Sequence, residues 1–273
     1  MNWEKKVSKR FSESSRRQVW FSGLFSMIGM GVGCFAMIVS LSVMNGFETL
    51  VHSKLKGFEG DLRVSGQVSE NEISELDGIE IVMPFMERRG VVEDGNDQKV
   101  VSLKAVDVAK MTDFYNFPLR GKSPEISEVV IGQDLAYRLG KDVGDEIMVY
   151  SPIDQSFGFG LTPKTKMTIS GIFSTRILDY DDRFVFLSLH DGKKLFKRKS
   201  GLDGIDIRVL KNFNVSSLKY NLAQKLSDSV TIQSWEDLNR SLVEAMKMER
   251  LGTIVILSLI FLVAAFNLAA ALS

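Results

Sequence analysis

The side chains able to do chemistry in this sequence are few and scattered. There are two histidines, His52 and His190, far apart and outside any metal-ligand spacing. The densest knot of carboxylates is Asp179, Asp181 and Asp182 around Tyr180. Such a run can offer oxygens to a hard cation, but a solvated turn before a strand beginning at Arg183 is its commoner use. His190-Asp191-Gly192-Lys193 looks like the end of a phosphate-binding loop yet lacks the first glycine, and no Gly-x-x-x-x-Gly-Lys-Ser/Thr run occurs. No Gly-x-Ser-x-Gly elbow occurs either. The one cysteine, Cys34, sits in an apolar run where a thiolate has little use, and being alone it forms no internal disulfide. We assign no catalytic residue, no metal site and no cofactor to this chain. Thirty-four basic and thirty-four acidic residues give a formal net charge of zero, which offers nucleic acid no electrostatic footing.

With catalysis unsupported, the informative elements are two apolar runs that bracket a polar middle. The first covers residues 18–47, with its apolar body at 20–44; the second begins at Leu251 and is still apolar at Ser273. A helix that spans a bilayer needs roughly 20 mostly apolar residues, and both runs supply them. Lys5, Lys6, Lys9, Arg10, Arg16 and Arg17 precede the first run, and mixed charges follow it. The excess of basic residues places the N-terminus in the cytoplasm and the middle outside. The first run is too long for a signal-peptide core and has no clear small-x-small cleavage site, so an uncleaved anchor is expected. The expected layout is a basic, amphipathic segment at 1–19, a first span at 20–44, an external domain at 45–240, and a stalk with a second span at 241–273.

Within the first span, Ser22, Ser26, Gly29, Gly33, Ala36 and Ser40 recur at steps of four and three and trace one face. Small faces let helix backbones approach inside a bilayer, so this face is expected to pack on another span of the same or a neighbouring subunit. Phe25, Met27, Ile28, Val32, Phe35 and Ile38 suit lipid. Met44, Asn45 and Phe47 fall at the outer end of the span, where a membrane-derived substrate would leave; the alternative for Asn45-Gly46 is a helix end by the left-handed route.

The middle reads as mixed strands and helices. Strands are expected at 62–64, 79–85, 90–93, 99–106, 129–131, 146–150, 167–173, 183–189, 205–210 and 230–233, and helices at 133–139 and 215–226. Asp94-Gly95-Asn96-Asp97 marks a hairpin. Ser234 and Asp237 form a capping box. No Gly or Pro follows Trp235 until Gly252, so one helix is expected to run from there into the second span as a rigid lever; a break at Gly252 is the alternative. The loop 151–164 is longer than a hairpin needs. It carries Ile153, Phe157, Phe159 and Leu161 among glycines, between Pro152 and Pro163. Apolar residues on such a tip are either tucked back or presented to a partner.

Ser42-Val43-Met44-Asn45-Gly46-Phe47-Glu48 resembles the signature of the lipoprotein-releasing (LolC/LolE-type) ABC permeases, within the MacB/FtsX-like group. Ile131-Gly132-Gln133-Asp134-Leu135-Ala136, Val143-Gly144-Asp145, Ile169-Ser170-Gly171-Ile172-Phe173 and Val263-Ala264-Ala265-Phe266-Asn267 are similar to later elements of that family, in the same order. The resemblance implies an α+β periplasmic domain like the two-lobed MacB core, flanked by transmembrane helices in the bacterial inner membrane, with two further spans beyond the present sequence. It implies a pair of permease subunits, a separate cytoplasmic ATPase that uses ATP and magnesium, lipoprotein substrates, and a periplasmic carrier recruited by a hook. The loop from Pro152 to Pro163 occupies the hook position. Two alternatives stay open on the residues alone: a MacB/FtsX-type permease acting on another substrate or transmitting force, and a two-span sensor with an external ligand-binding domain.

Overall fold

In the computed structural model of this chain the described residues are 3–95, 97–152, 164–196, 201–227 and 229–272; the side chains of 1–23, 25–26, 52, 264, 267–268 and 270–273 lie outside the description. The elements follow as α1 (Trp3–Glu59), β1 (Leu62–Ser65), α2 (Glu70–Ser74), β2 (Ile79–Asp94), β3 (Asp97–Val106), α3 (Met111–Phe114), β4 (Leu119–Gly121), β5 (Glu128–Gly132), α4 (Gln133–Leu139) and β6 (Glu146–Tyr150). They continue as β7 (Thr165–Phe173), α5 (Leu178–Asp181), β8 (Phe184–Ser188), α6 (Leu189–Leu195), β9 (Gly204–Val209), α7 (Val215–Lys225), β10 (Thr231–Ser234), α8 (Trp235–Leu238) and α9 (Arg240–Leu272). The chain divides into two units, Met1–Val51 with Asn239–Ser273, and His52–Leu238.

The first unit holds α1 up to Val51 and all of α9, including the apolar lengths of both. Among the described residues one helix, Met27–Glu59 within α1, is long and apolar enough to cross a membrane. The second apolar run is helical as α9. Phe35 and Phe266 are each more than two-thirds exposed, and most large apolar side chains around them are bare. In this unit the half-covered described positions of α1 are Leu24, Met30, Gly33, Met37, Leu41, Glu48 and Val51, with Met44 buried; on α9 they are Val243, Met246, Thr253 and Ala265, with Leu257 buried. Both sets recur at about 3.5 residues, one stripe per helix. A Cβ on Gly33 would meet Ile260 at 3.7 Å, and Arg250 reaches Glu48 at 3.5 Å.

Two expectations about these helices need correction. Asn45-Gly46 does not end α1, which continues to Glu59. The apolar series simply goes on, with Leu55 and Phe58 buried in the second unit. The stop is Gly60, whose φ of +83° favours glycine and whose N–H donates to the Lys56 carbonyl at 2.9 Å. The helix starting at Trp235 is not continuous either: α8 closes at Leu238 and α9 opens at Arg240, whereas Gly252 lies within unbroken helix.

In the second unit the long strand β2 belongs to two layers. Its first half pairs with β9, and its end, Val91 to Glu93, pairs with β6. The order β2-β3-β8-β5-β7-β6 returns to β2 and closes a six-stranded barrel. Closure removes the barrel's exposed edges. Its interior holds Leu103, Val129, Ile131, Val149, Ile169, Val185 and Leu187. The other half of β2 continues an open antiparallel sheet, β10-β1-β9-β2, covered by α2 and α7 through Ile73, Leu218 and Leu222. The strands expected at 79–85 and 90–93 are thus one strand. Gly90 lies near the switch, where an added Cβ would stand 2.2 Å from Leu103 Cδ1 and 2.9 Å from the Tyr150 carbonyl. Only glycine lets β6 close on β2 there.

Candidate functional site

The carboxylates that might have held a cation are structural. Asp181 is buried and accepts from the Thr175 N–H and hydroxyl, both at 2.7 Å, and from the Arg176 N–H at 3.0 Å. It thereby supports Arg176 at a φ of +63°, a conformation costly for a residue with a Cβ. The reading of this run as a solvated turn is corrected in that one residue; Asp182 and Asp179 pair outward with Arg138 and Arg183. Asp191 repeats the device: it accepts from the Ser127 N–H at 2.9 Å, and Ser127 also has a φ of +63°. Among the described residues no group of three His, Cys, Asp or Glu side chains is placed to hold a metal.

The hook position is a β6–β7 connection. Its strands pair antiparallel, with Val149 opposite Thr165. Ser151 is buried, and its hydroxyl donates to the Arg89 carbonyl at 3.3 Å. At the returning foot, Lys164 reaches Glu93 Oε2 at 2.7 Å and lies 5.6 Å from the Tyr150 ring centre. Pro152 is exposed; Ile153, Phe157, Phe159, Leu161 and Pro163 lie outside the described residues. Both feet therefore stand on the barrel, next to the switch in β2.

Of the span-exit residues, Met44 is buried on the α9-facing stripe of its unit, whereas Asn45 and Phe47 are exposed. Of the small-residue face, Gly33 alone is seen against α9. Gly29, Ala36 and Ser40 stay exposed, and Ser22 and Ser26 lie outside the described side chains. Apart from Gly33, the described part of that face is therefore bare within this chain.

A junction that the sequence reading missed joins the entry and exit of the second unit. The last turn of α1 plugs into an aromatic cluster. Phe58 is 1% exposed and stacks on Tyr180 with centres 4.1 Å apart, with Phe184 edge-on at 4.8 Å. Tyr180 donates its hydroxyl to Glu59 at 2.8 Å. Burial and the neighbouring Glu59 carboxylate raise the Tyr180 phenol well above its usual range. Arg208 of β9 donates to the carbonyls of Lys56, Gly57 and Phe114. It thus puts a cation on the negative end of α1 and satisfies carbonyls that the helix leaves open. Asp61 ties the remaining pieces: Lys56 at 2.6 Å, the Val209 N–H at 2.9 Å, and through its own carbonyl the Trp235 N–H at 3.3 Å. The segment that follows α1 and the one that leads to α9 therefore share one residue.

Behind this junction a buried ion cluster staples the open sheet to the barrel. Asp206 of β9 and Lys104 of β3 are both 0% exposed and 2.7 Å apart. Arg63 of β1 closes a bidentate pair on Asp206, at 2.6 and 3.1 Å. Burial pushes the Asp206 carboxyl upward, but Lys104 and Arg63 outweigh it and hold it below the usual carboxylate range. Tyr115, packed against the same cluster, is pushed up to about 12, chiefly by burial. Nothing in the sequence marked this cluster: Lys104 shares β3 with Asp97 and Lys99, and Asp206 shares β9 with Arg208.

Residues 24–238 match the family described as the MacB-like periplasmic core domain. The chain is 24% identical to the lipoprotein-releasing system transmembrane protein LolC of Neisseria meningitidis serogroup B, over 97% of this chain and 69% of that protein. To the corresponding LolE of Haemophilus influenzae it is 22% identical, over 91% of this chain and 64% of that protein. Among solved structures, the periplasmic region of MacB from Actinobacillus actinomycetemcomitans aligns over 69% of this chain and 95% of its own, with 12% identity and a TM-score of 0.47. The family match covers the barrel, the open sheet, the junction and both feet of the β6–β7 loop, and on it the chain belongs to the family of the MacB-like periplasmic core domain.

Proposed function

We propose that this chain is a permease subunit of a lipoprotein-releasing ABC transporter. The observation that carries this is the alignment with LolC over 97% of the chain, through the apolar runs as well as the domain. On this reading α1 and α9 span the bacterial inner membrane, and His52–Leu238 is the periplasmic domain. The permease itself is not an enzyme; a cytoplasmic partner subunit binds ATP and magnesium and hydrolyses the ATP. A second permease subunit, the same chain or a paralogue, packs on the bare face of Gly29, Ala36 and Ser40.

The work done by this chain's own residues is coupling. The C-terminal turn of α1 is held by Phe58, Arg208 and Asp61, and Asp61 also binds the backbone that leads to α9. A displacement of either helix therefore acts on one point of the domain. The Lys104–Asp206–Arg63 cluster passes it from the open sheet to the barrel that carries the hook. Asn45 and Phe47 stand by the path of the departing lipoprotein. Phe157 and Phe159 of the hook present apolar rings to a periplasmic carrier, with Ile153, Leu161 and the two prolines shaping the loop.

Depletion of this protein in its own cells, followed by membrane fractionation, tests the reading. Lipoproteins destined for the outer membrane should accumulate in the inner membrane. Normal sorting together with a separate defect, such as loss of export of another substrate, would overturn it. Photo-crosslinking from Phe157 or Phe159 tests the hook by itself: capture of a periplasmic lipoprotein carrier is expected, and repeated failure to capture one would remove the hook from the proposal.

A further inference from the structure

The coupling reading leaves unused a cleft of about 740 Å³ on the second unit, walled by the middle of β2, β3 and the start of β8. Four arginines line it, Arg63, Arg88, Arg89 and Arg183, against one carboxylate, Glu87. Three of the four have carboxylate partners, so the charge open to a bound anion is that of Arg89 together with the exposed, weakly paired Arg183.

Asp206, Asp203 and Asp179 lie outside the lining of the cleft and engage the arginines unequally. Arg63 spends Nε and Nη2 on buried Asp206, which fixes the plane of its guanidinium, and its Nη1 lies 3.9 Å from Glu87. The Phe85 ring beneath, 4.7 Å from the guanidinium carbon, holds it further. Glu87 is itself engaged by the Ser102 hydroxyl at 2.6 Å. Arg88 leans on Asp203 at 3.0 Å. Arg183 has an exposed pair with Asp179 at 3.3 Å, of the class that contributes little in water. Arg89 is exposed and makes no side-chain ion pair among the described residues. The cleft thus combines one oriented guanidinium with two accessible ones.

We infer that this cleft binds a phosphate group. One carboxylate is satisfied by one guanidinium fork, whereas several forks around a single cleft suit a group with three or more anionic oxygens. Phe184 and Val100, the latter 70% exposed, line the same cleft and can cover a short apolar substituent. The phosphate can be that of an anionic lipid headgroup or a free phosphate.

The test uses the full chain in detergent or nanodiscs and two probes. Equilibrium dialysis with radiolabelled inorganic phosphate reads the free anion; native mass spectrometry reads retention of phosphatidylglycerol against phosphatidylcholine. Saturable one-to-one binding of at least one probe is expected, with Arg89→Ala and Arg183→Ala each weakening it about tenfold. Binding should also fall as salt rises. Phosphate binding without lipid preference assigns a free phosphate; retention of phosphatidylglycerol, competed by phosphate, assigns a headgroup. Both replaced side chains are exposed, so the fold should persist, and Lys211→Ala, outside the cleft, serves as the unaffected control. Absence of saturable binding of either probe, or parent-like binding by both arginine variants, overturns the inference. Lipoprotein sorting enters none of these readouts, so failure here and failure of the transport reading are distinct.

Discussion

Replacement of Asp206 by asparagine is the sharpest perturbation of the buried cluster. The side chain keeps its size but loses its charge, and Lys104, 0% exposed, is left with no counterion in contact among the described residues. Removal of one partner from a buried ion pair costs about 3–5 kcal/mol, because the remaining charge has lost both water and its mate. Arg63 fares better, since it is partly exposed and has Glu87 at 3.9 Å. The expected loss for Asp206→Asn is therefore about 4 kcal/mol, nearly all of it from stranded Lys104. If so, Lys104→Met added to Asp206→Asn should recover more than half of the loss, since the stranded charge is then gone. Urea unfolding of the full chain in detergent, followed by Trp235 emission with Trp3 and Trp20 replaced by phenylalanine, measures both; Trp235 is buried in the same unit, 6% exposed. A loss below about 1 kcal/mol for Asp206→Asn, or additive losses in the double variant, would refute the argument that burial of an unpaired cation dominates.

Titration of the same cluster has a definite sign. The folded carboxyl of Asp206 lies below its unfolded value, so its stabilisation is present above about pH 4 and is lost as pH falls through the lower folded value; Asp206→Asn should flatten this acid limb of the unfolding curve. The Tyr115 phenol is raised to about 12, so its contribution is intact below about pH 10 and is lost between about 10 and 12, a loss that Tyr115→Phe should remove. Phe58→Ala empties the aromatic socket of α1 and should cost about 3–5 kcal/mol by the same unfolding assay. Gly90→Ala drives a methyl into Leu103 and the Tyr150 carbonyl and should cost about 1–3 kcal/mol, with hydrogen exchange rising first in β6. Asp61→Asn with Arg208→Met should leave most of the stability in place yet abolish lipoprotein sorting in cells; normal sorting would remove the junction from the coupling pathway.

The apolar runs, the hairpin at Asp94–Asp97, the helix at 133–139 and the capping box at Ser234 are legible in the sequence because each depends on neighbours a few residues away. Ser234 N–H to Asp237 at 2.8 Å is such a local bond. Hydrophobic period and turn residues report local geometry directly. The small-residue face was legible as a pattern, yet nothing local tells which partner covers it.

The continuation of α1 past Asn45-Gly46 shows where local signals fail. The dipeptide permits a stop, but burial of Phe58 in a socket built from Tyr115, Phe117, β7, α5 and β8 decides otherwise, and those residues come from more than fifty positions away. Closure of the barrel is equally non-local. It rests on one glycine in a strand whose two halves serve different sheets, and alternation along β2 cannot reveal a change of partner. In the sequence Lys104 and Asp206 look no different from Lys99 and Arg208 in the same strands; the fold makes the first two counterions by bringing β3 and β9 to one face. The sequence alone determined the class of molecule, its kinship and the position of most strands, since these follow from composition, period and motif. The junction at Asp61, the closed barrel and the arginine cleft were decided only in three dimensions, since each joins residues that the chain keeps far apart and that burial and pairing bring within hydrogen-bond reach.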